Sequence, residues 1–367
     1  MHRSVARLKD SAQKSQMQPE APTKIEGHGG RSDIHDVARL ACVSIATVSR
    51  VTSGVTNVDR KLARRVWKVI EELGYSPSRA AQALGSGRTR LVGLIVPEID
   101  NPFFCELIQG FEDIALEHGY EMMLGSTYSD PERALSWLQR MLQHGVHGIA
   151  MMTFATEPDD IYRIARGVPI VSIQSGIQRE PHTSIQIDFL AGIRQAVQHL
   201  AALRHREIGF AGADTGNYSA MLRRSAFITA MRELGLVVRT ERLLEQHHTF
   251  EGGSEAARQV MELKDRPTAL VCSNDLIAIG AIGTLQQSGL NVPRDISVIG
   301  LDDIKLAQLT SPPLTTVVLP RQKLVEAAFE SLLWQFDSSI KPSNLTDQIA
   351  TSLVIRKSTT FALSSRR

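Results

Sequence analysis

The stretch from Ile34 to Leu84 constrains this chain more than any other, because its apolar residues recur at helical spacing in short blocks separated by turn signals. Ile34, Val37, Ala38 and Ala41 share one face of a first helix, and Cys42-Val43-Ser44 interrupts them. A second helix starts at Ile45, with Ser44 as its natural N-cap. Val48 and Val51 turn inward, which leaves Ala46, Thr47 and Arg50 projecting outward in the way a base-reading helix presents its side chains. A third helix runs from Asp59, its cap, to Leu73, with Leu62, Val66, Val69 and Ile70 inside and Gly74 as the stop. Three amphipathic helices in about 40 residues just close a small core. The pattern predicts an all-α helix-turn-helix head that binds double-stranded DNA.

Charge supports this expectation. Between Arg31 and Arg90 there are 11 basic and 5 acidic residues, a net of 11 − 5 = +6, whereas the whole chain of 367 residues carries +2. A basic head on an acidic body suits phosphate contact by the head.

From Leu91 onward short apolar runs alternate with helical segments. Leu91 to Val96, Met122 to Ser126, Gly148 to Met152 and Ile170 to Ile173 are separated by helices near 104–118, 131–144 and 160–166. Helices expected at 191–203, 225–234, 253–263 and 275–288 alternate in the same way with strands at 208–211, 269–272 and 298–301. This is the signature of parallel sheets with crossover helices, arranged as two α/β lobes facing each other across a cleft.

Several motifs resemble the lactose/galactose repressor (LacI/GalR) family. The run Asp36-Val37-Ala38-Arg39-Leu40-Ala41-Cys42-Val43-Ser44-Ile45-Ala46-Thr47-Val48-Ser49-Arg50-Val51, followed by Leu73-Gly74-Tyr75-Ser76-Pro77, is similar to the family's head. Gly93-Leu94-Ile95-Val96-Pro97 and Asn101-Pro102-Phe103-Phe104 extend the similarity, which reaches about Ile355. Cys42 departs from the family's turn glycine and Ser53 from the asparagine before Gly54. The resemblance implies a sequence-specific transcription regulator, commonly a repressor, whose operator affinity is set by a small-molecule effector, a sugar or sugar acid. It further implies a type I periplasmic-binding-protein-like effector domain, with chain crossings near Asp188, Leu319 and Ser343.

The expected organisation is an N-terminal extension at 1–31, a DNA-binding domain at 32–76, a hinge helix and linker at 77–90, and an effector and dimerisation domain at 91–360. Its N-lobe is expected at about 91–188 and 320–340, and its C-lobe at about 189–318 and 344–358. The first thirty residues lack apolar periodicity and read as disordered, either a private addition or a mis-assigned start with Met17 as the alternative. By the same resemblance Ser44, Ile45, Ser49, Asn57, Arg79 and Gln82 join Ala46, Thr47 and Arg50 in DNA contact. Leu84 takes the place of the hinge leucine that wedges into the minor groove.

Ligands of parallel sheets bind beyond the carboxyl ends of the strands. There lie Phe103, Phe104, Gln174, Asp188, Arg223, Asn274 and Asp302, each matching a family effector contact or its neighbour. Arginine offers a fork of donors, aspartate accepts from paired hydroxyls, asparagine does both, and an aromatic face stacks on a ring. Asn274 also suits the cap of the following helix, and the two phenylalanines suit a core. Gln174 stands where sugar-binding relatives carry aspartate and Phe189 where they carry asparagine, which tilts the expected ligand toward a sugar acid paired with Arg223.

Other classes fit less well. No nucleotide-binding glycine loop follows the first strand and no Ser/His/Asp arrangement is evident, so neither an enzyme nor a cofactor is expected. Cys42, Cys105 and Cys272 are odd in number and far apart, which fits reduced thiols in the cytoplasm and no metal site. A solute-binding protein of the same two-lobed fold is the alternative, set against by the head and by the lack of an apolar signal segment. The 320–336 region resembles part of the family's dimer surface, although a core helix has the same pattern. No leucine heptads follow Ile355, so a homodimer on a pseudo-palindromic operator is expected.

Overall fold

The computed structural model describes residues 32–52, 58–76, 89–152, 158–165, 167–173, 183–212, 218–337 and 348–363. The chain divides into two units, Met1–Gly85 and Ser86–Arg367.

In the first unit three helices form, α1 (Ile34–Leu40), α2 (Ile45–Thr52) and α3 (Arg60–Leu73). Side chains satisfy their orphan amides. The Asp33 carboxylate accepts from the amides of His35 at 2.8 Å and Asp36 at 3.0 Å, and Asp36 answers from the third position as a capping box. Ser44 accepts the Thr47 amide at 3.2 Å, as its N-cap role requires. Asp59 accepts from Lys61 and Leu62, and Gly74 closes α3 in the left-handed conformation at φ 58°. Cys42 adopts φ 51°, so this cysteine keeps the left-handed turn that a glycine makes without strain. Val37, Ala41, Val48, Val51, Val66 and Ile70 fill the centre. The hinge helix expected at 78–84 lies outside the described residues.

The second unit holds two six-stranded sheets. The first lobe contains β1 (Leu91–Val96), β2 (Glu121–Ser126), β3 (Gly148–Met151), β4 (Ile170–Ile173), β5 (Thr183–Asp188) and β11 (Gln348–Ala350), in the order β11-β5-β4-β3-β1-β2. The second contains β6 (Ile208–Gly212), β7 (Leu243–Glu245), β8 (Ala269–Cys272), β9 (Ser297–Asp302), β10 (Thr315–Val318) and β12 (Ser352–Val354), in the order β12-β10-β9-β8-β6-β7. The ladders are parallel except β10 with β12. Strands such as β3, β4, β6, β8 and β9 are buried along their whole length, which is why they read as continuous apolar runs without alternation.

Helices α4 (Pro102–Glu117), α5 (Pro131–Gln143), α6 (Pro158–Ala165), α7 (Phe189–Ala202), α8 (Tyr218–Glu233), α9 (Phe250–Glu262), α10 (Asp275–Gln287) and α11 (Arg321–Phe336) cover the sheets. Among the described residues no helix is long and apolar enough to cross a membrane. Leu324, Ala328, Ser331 and Leu332 of α11 are buried within the chain, where the helix packs on α4 and on β3 and β4. Those residues are core, the second of the two readings that the sequence leaves open for this helix.

The chain passes between lobes after Asp188, at Leu319-Pro320, and at Thr351. The third crossing differs from the expected one near Ser343, and with it the expected C-lobe start at 344. Residues 348–350 belong to the first lobe, where Gln348, Ile349 and Ala350 pair in parallel with Gln186, Ile187 and Asp188. A three-residue edge strand is too short to show a period, so the sequence pattern hides it. Thr351 fixes the crossing: its hydroxyl donates to the Asp188 carbonyl at 2.7 Å and accepts the Gly192 amide at 2.9 Å.

Two helices begin three or more residues earlier than the sequence suggests, α8 at Tyr218 rather than Ser225 and α9 at Phe250 rather than Gly253. In α9 the misleading signal is Gly252-Gly253, which reads as a breaker but serves close approach. A Cβ on Gly253 would sit 2.1 Å from the Ile277 carbonyl oxygen, and one on Gly280 would sit 2.0 Å from that of Phe250. We expect Gly280→Ala to lower unfolding free energy by about 1–3 kcal/mol or more through overpacking. Gly283→Ala, on the same helix but with nothing within 4 Å, should be neutral or stabilising by up to about 1 kcal/mol. Equal effects in chemical denaturation would sink the close-packing account.

Candidate functional site

On α2, Ser44, Ile45, Ala46 and Arg50 are exposed, Thr47 and Ser49 half-exposed, and Val48 and Val51 buried. Capping and packing thus fix the helix by one face and leave the other to solvent, as the sequence spacing predicts. Asn57, Arg79, Gln82 and Leu84 lie outside the described residues.

In the second unit a cleft of about 560 Å³, counted out to its open mouth, runs between the lobes. Phe103, Phe104, Arg223, Asn274 and Asp302 line it, as the strand-end argument anticipates. Phe103 and Phe104 are also buried, edge to face with centroids 5.1 Å apart, so they wall the cleft and belong to the core together. Asn274 is the N-cap of α10: its carbonyl oxygen accepts the Ile277 amide at 2.9 Å, while its amide donates to the His248 carbonyl at 3.2 Å. Asp188 is not among the lining residues; it caps α7 by accepting the Ala191 amide at 3.0 Å, and its neighbour Ile187 faces the cleft instead. Gln174 lies outside the described residues.

The charged centre of the cleft is Arg223 with Asp302. Arg223, on α8, donates from Nη1 to the Ser273 carbonyl at 2.6 Å, and its guanidinium lies 4.7 Å from the Phe189 ring centroid. That contact gives Phe189 a physical role beneath the arginine. Nη2 stands 3.8 Å from Asp302 Oδ1, close enough to attract but too far for a hydrogen bond. Both side chains are buried, yet Arg223 Nε and Asp302 Oδ1 have no hydrogen-bond partner among the described residues. Burial pushes the Asp302 carboxyl up to about 7, against the pull of Arg223 and Arg321. Burial likewise raises the Asp275 carboxyl well above its ordinary range, with the Asp302 charge adding to the shift.

Asp302 sits at the end of β9 with φ 119°, and Asp303 follows at φ 55°, two consecutive strained positions for residues with a Cβ. Arg321, at the start of α11, holds both: it donates to the Asp302 carbonyl and, at 3.0 Å, to that of Asp303. Its Nε lies 3.3 Å from Glu106 on α4, and Arg356 pairs with Asp303 at 2.7 Å. Asp275 fixes the far side of the turn by accepting the Ile304 amide at 2.9 Å and the Thr316 hydroxyl at 2.6 Å.

Sequence reasoning missed Arg321 as a support, and Glu98, Asn101, Ser129, Ser219 and His248 in the lining. His248 bonds Ser273 Oγ at 2.7 Å, and burial first, then Arg223, lowers its pKa to about 3, so the ring is neutral. The strand-end rule would have found it had the three-residue β7 been visible in the sequence. Glu98 is partly buried, and desolvation followed by the Asp100 charge raises its carboxyl.

Residues 33–78 match the family described as bacterial regulatory proteins, lacI family, and residues 197–359 match a periplasmic binding protein-like domain. Catabolite control protein A of Priestia megaterium is 33% identical over 89% of this chain and 98% of its own length. The HTH-type transcriptional repressor PurR of Erwinia tasmaniensis is 34% identical over 89% of this chain and 96% of its own. Among solved structures, the Lac repressor dimer bound to operator and an anti-inducer superposes with a TM-score of 0.80 at 26% identity, covering 90% of this chain and all of that one. A LacI family regulator from Lactobacillus casei with bound sucrose superposes with a TM-score of 0.67 at 29% identity, covering 73% of this chain and 99% of that one. A capped helix-turn-helix head, a two-lobed body and full-length similarity to such regulators converge on one statement: this chain belongs to the lacI family of bacterial regulatory proteins.

Proposed function

We propose that this regulator reads a pseudo-palindromic operator as a homodimer through the outer face of α2, and represses until a polyhydroxylated small molecule enters the cleft. The observation that carries the effector reading is the pair of orphaned buried atoms, Arg223 Nε and Asp302 Oδ1. An unpaired buried polar group is costly, and one donor beside one acceptor is satisfied together by a ligand hydroxyl pair. Phe103 and Phe104 offer the apolar wall that a sugar ring needs. The side chains do binding chemistry, and we assign no catalytic role. The place of action is the cytoplasm, on DNA.

Ser44, Ile45, Ala46, Thr47, Ser49 and Arg50 form the reading surface in this proposal, with Asn57, Arg79, Gln82 and Leu84 completing it from the segments around it. Effector occupancy shifts the lobes between two arrangements and so biases the operator-bound state, by no more than the ligand's preference for one of them. A thermal-shift panel of sugars, sugar acids and purines on the full chain identifies the ligand class; stabilisation by purines alone would overturn the sugar reading.

Arg50→Ala should cost about 1–3 kcal/mol of operator affinity and relax discrimination at one base position. Wild-type affinity at physiological salt would remove α2 from the reading role. Arg223→Ala and Asp302→Ala should keep operator binding and lose response to the panel's hit by roughly tenfold or more in concentration, the scale of a charge-assisted hydrogen bond. Unchanged response in both variants would place the effector elsewhere.

The pH dependence follows from Asp302. Its carboxyl keeps its proton up to about 7 in the fold. Protonation therefore favours the folded state, an advantage complete below about pH 4, the unfolded value, and lost as pH rises through 7. Between about pH 5 and pH 8 the thermal midpoint of the wild type should fall relative to that of Asp302→Asn. Parallel curves would show that Asp302 is ionised throughout.

A further inference from the structure

The head's cations are not where the reading helix is. α2 carries Arg50 alone, and Arg39 of α1 is engaged by Asp36 at 3.0 Å. By contrast α3 places Arg60, Lys61, Arg64, Arg65 and Lys68 in its first nine positions, all exposed. Among the described residues the only ion pair these five make is Lys68 with Glu72, at 3.7 Å.

Their order along the helix works against the helix. Cations crowd the end where the backbone dipole is positive, and both acids of α3, Glu71 and Glu72, sit in its last turn where the dipole is negative. Asp59, the N-cap, is the one acid at the basic end. A solvated face free to choose its charges gains by the opposite order. Trp67 adds a second cost: it is 49% exposed, on the same face as Arg60, Arg64 and Lys68 at helical spacing, and lies outside the head's apolar core among the described residues. Duplex binding needs several neutralised phosphates, and Arg50 on α2 with Arg79 beyond the head supplies two cations at most.

We propose that the outer face of α3 is a duplex-DNA contact separate from the reading helix, with Arg60, Arg64 and Lys68 on phosphates and Trp67 against the sugar edges between them. The inference rests on the DNA-binding reading and assigns to α3 the sequence-independent part of it. A polyanion at this face neutralises the misplaced cations and covers the indole, so the features that burden the free helix become favourable in the complex.

The test uses the full chain and a random-sequence duplex of about 30 base pairs, titrated across a salt series. The combined variant Arg60→Gln, Arg64→Gln, Lys68→Gln should flatten the slope of log affinity against log salt by roughly 2 to 3 per head, at about 0.9 per phosphate. Its thermal midpoint should stay close to that of the wild type, because removing Arg60 from the first turn relieves the dipole while removing Lys68 gives up its exposed pair with Glu72. Trp67→Phe should abolish the emission change on DNA that the wild type shows, while Trp137 and Trp334 remain as internal controls. A wild-type salt slope in a folded triple variant overturns the inference, as does loss of affinity confined to an acidic polypeptide such as polyglutamate. Failure of the wild type to bind any duplex would instead strike the DNA-binding reading itself.

Discussion

A buried guanidinium and a buried carboxyl that attract each other without a hydrogen bond set the terms for the rest of the body. Arg223 and Asp302 are both withdrawn from water, and the 3.8 Å between them leaves each with an unmet valence. Removing either partner strands the other, whereas the ligand of the proposed function would offset that cost by bonding to both. The fold tolerates the cost because the arginine is already held from behind by the Ser273 carbonyl and the Phe189 ring.

Asp302 is held just as firmly through its backbone. Arg321 grips the two left-handed carbonyls from the start of α11 and reaches Glu106 of α4 in the first lobe. The turn that carries one cleft-facing carboxyl is therefore shared by both lobes. Thr351, Asp188 and Gly192 make a comparable knot at another crossing, where a Cβ on Gly192 would lie 2.5 Å from Thr351 Oγ1. Motion between lobes passes through these few joints, which is the mechanical condition for a population shift to be felt at a distance.

The head and the alternating body were legible because long periodic segments declare themselves: Val37, Val48, Val66 and Ile70 recur where a helical face requires, and β1, β3 and β9 read as apolar runs. Short elements were not. Three-residue strands such as β7 and β11 carry no period, and with β7 went His248, with β11 the true crossing at Thr351. Gly252-Gly253 misled for a different reason, since sequence cannot separate a glycine that breaks a helix from one that lets another helix approach. Within the cleft, Phe103, Phe104, Arg223, Asn274 and Asp302 followed from strand ends, while Arg321 supports the site through main-chain carbonyls that no side-chain motif reveals.

Gly300 lies two residues before Asp302, and a Cβ there would sit 2.1 Å from Asp275 Oδ1. With Asp275 committed to Thr316 and Ile304, that strand position admits no side chain without dismantling the support of the turn. Ligand preference in descendants of this chain therefore has an uneven route open to it. Under the proposed function, the arginine, the aspartate and their scaffolding are the constrained part of the cleft, and a new preference would arise at side chains that line it without anchoring it, such as Glu98 and Ser129.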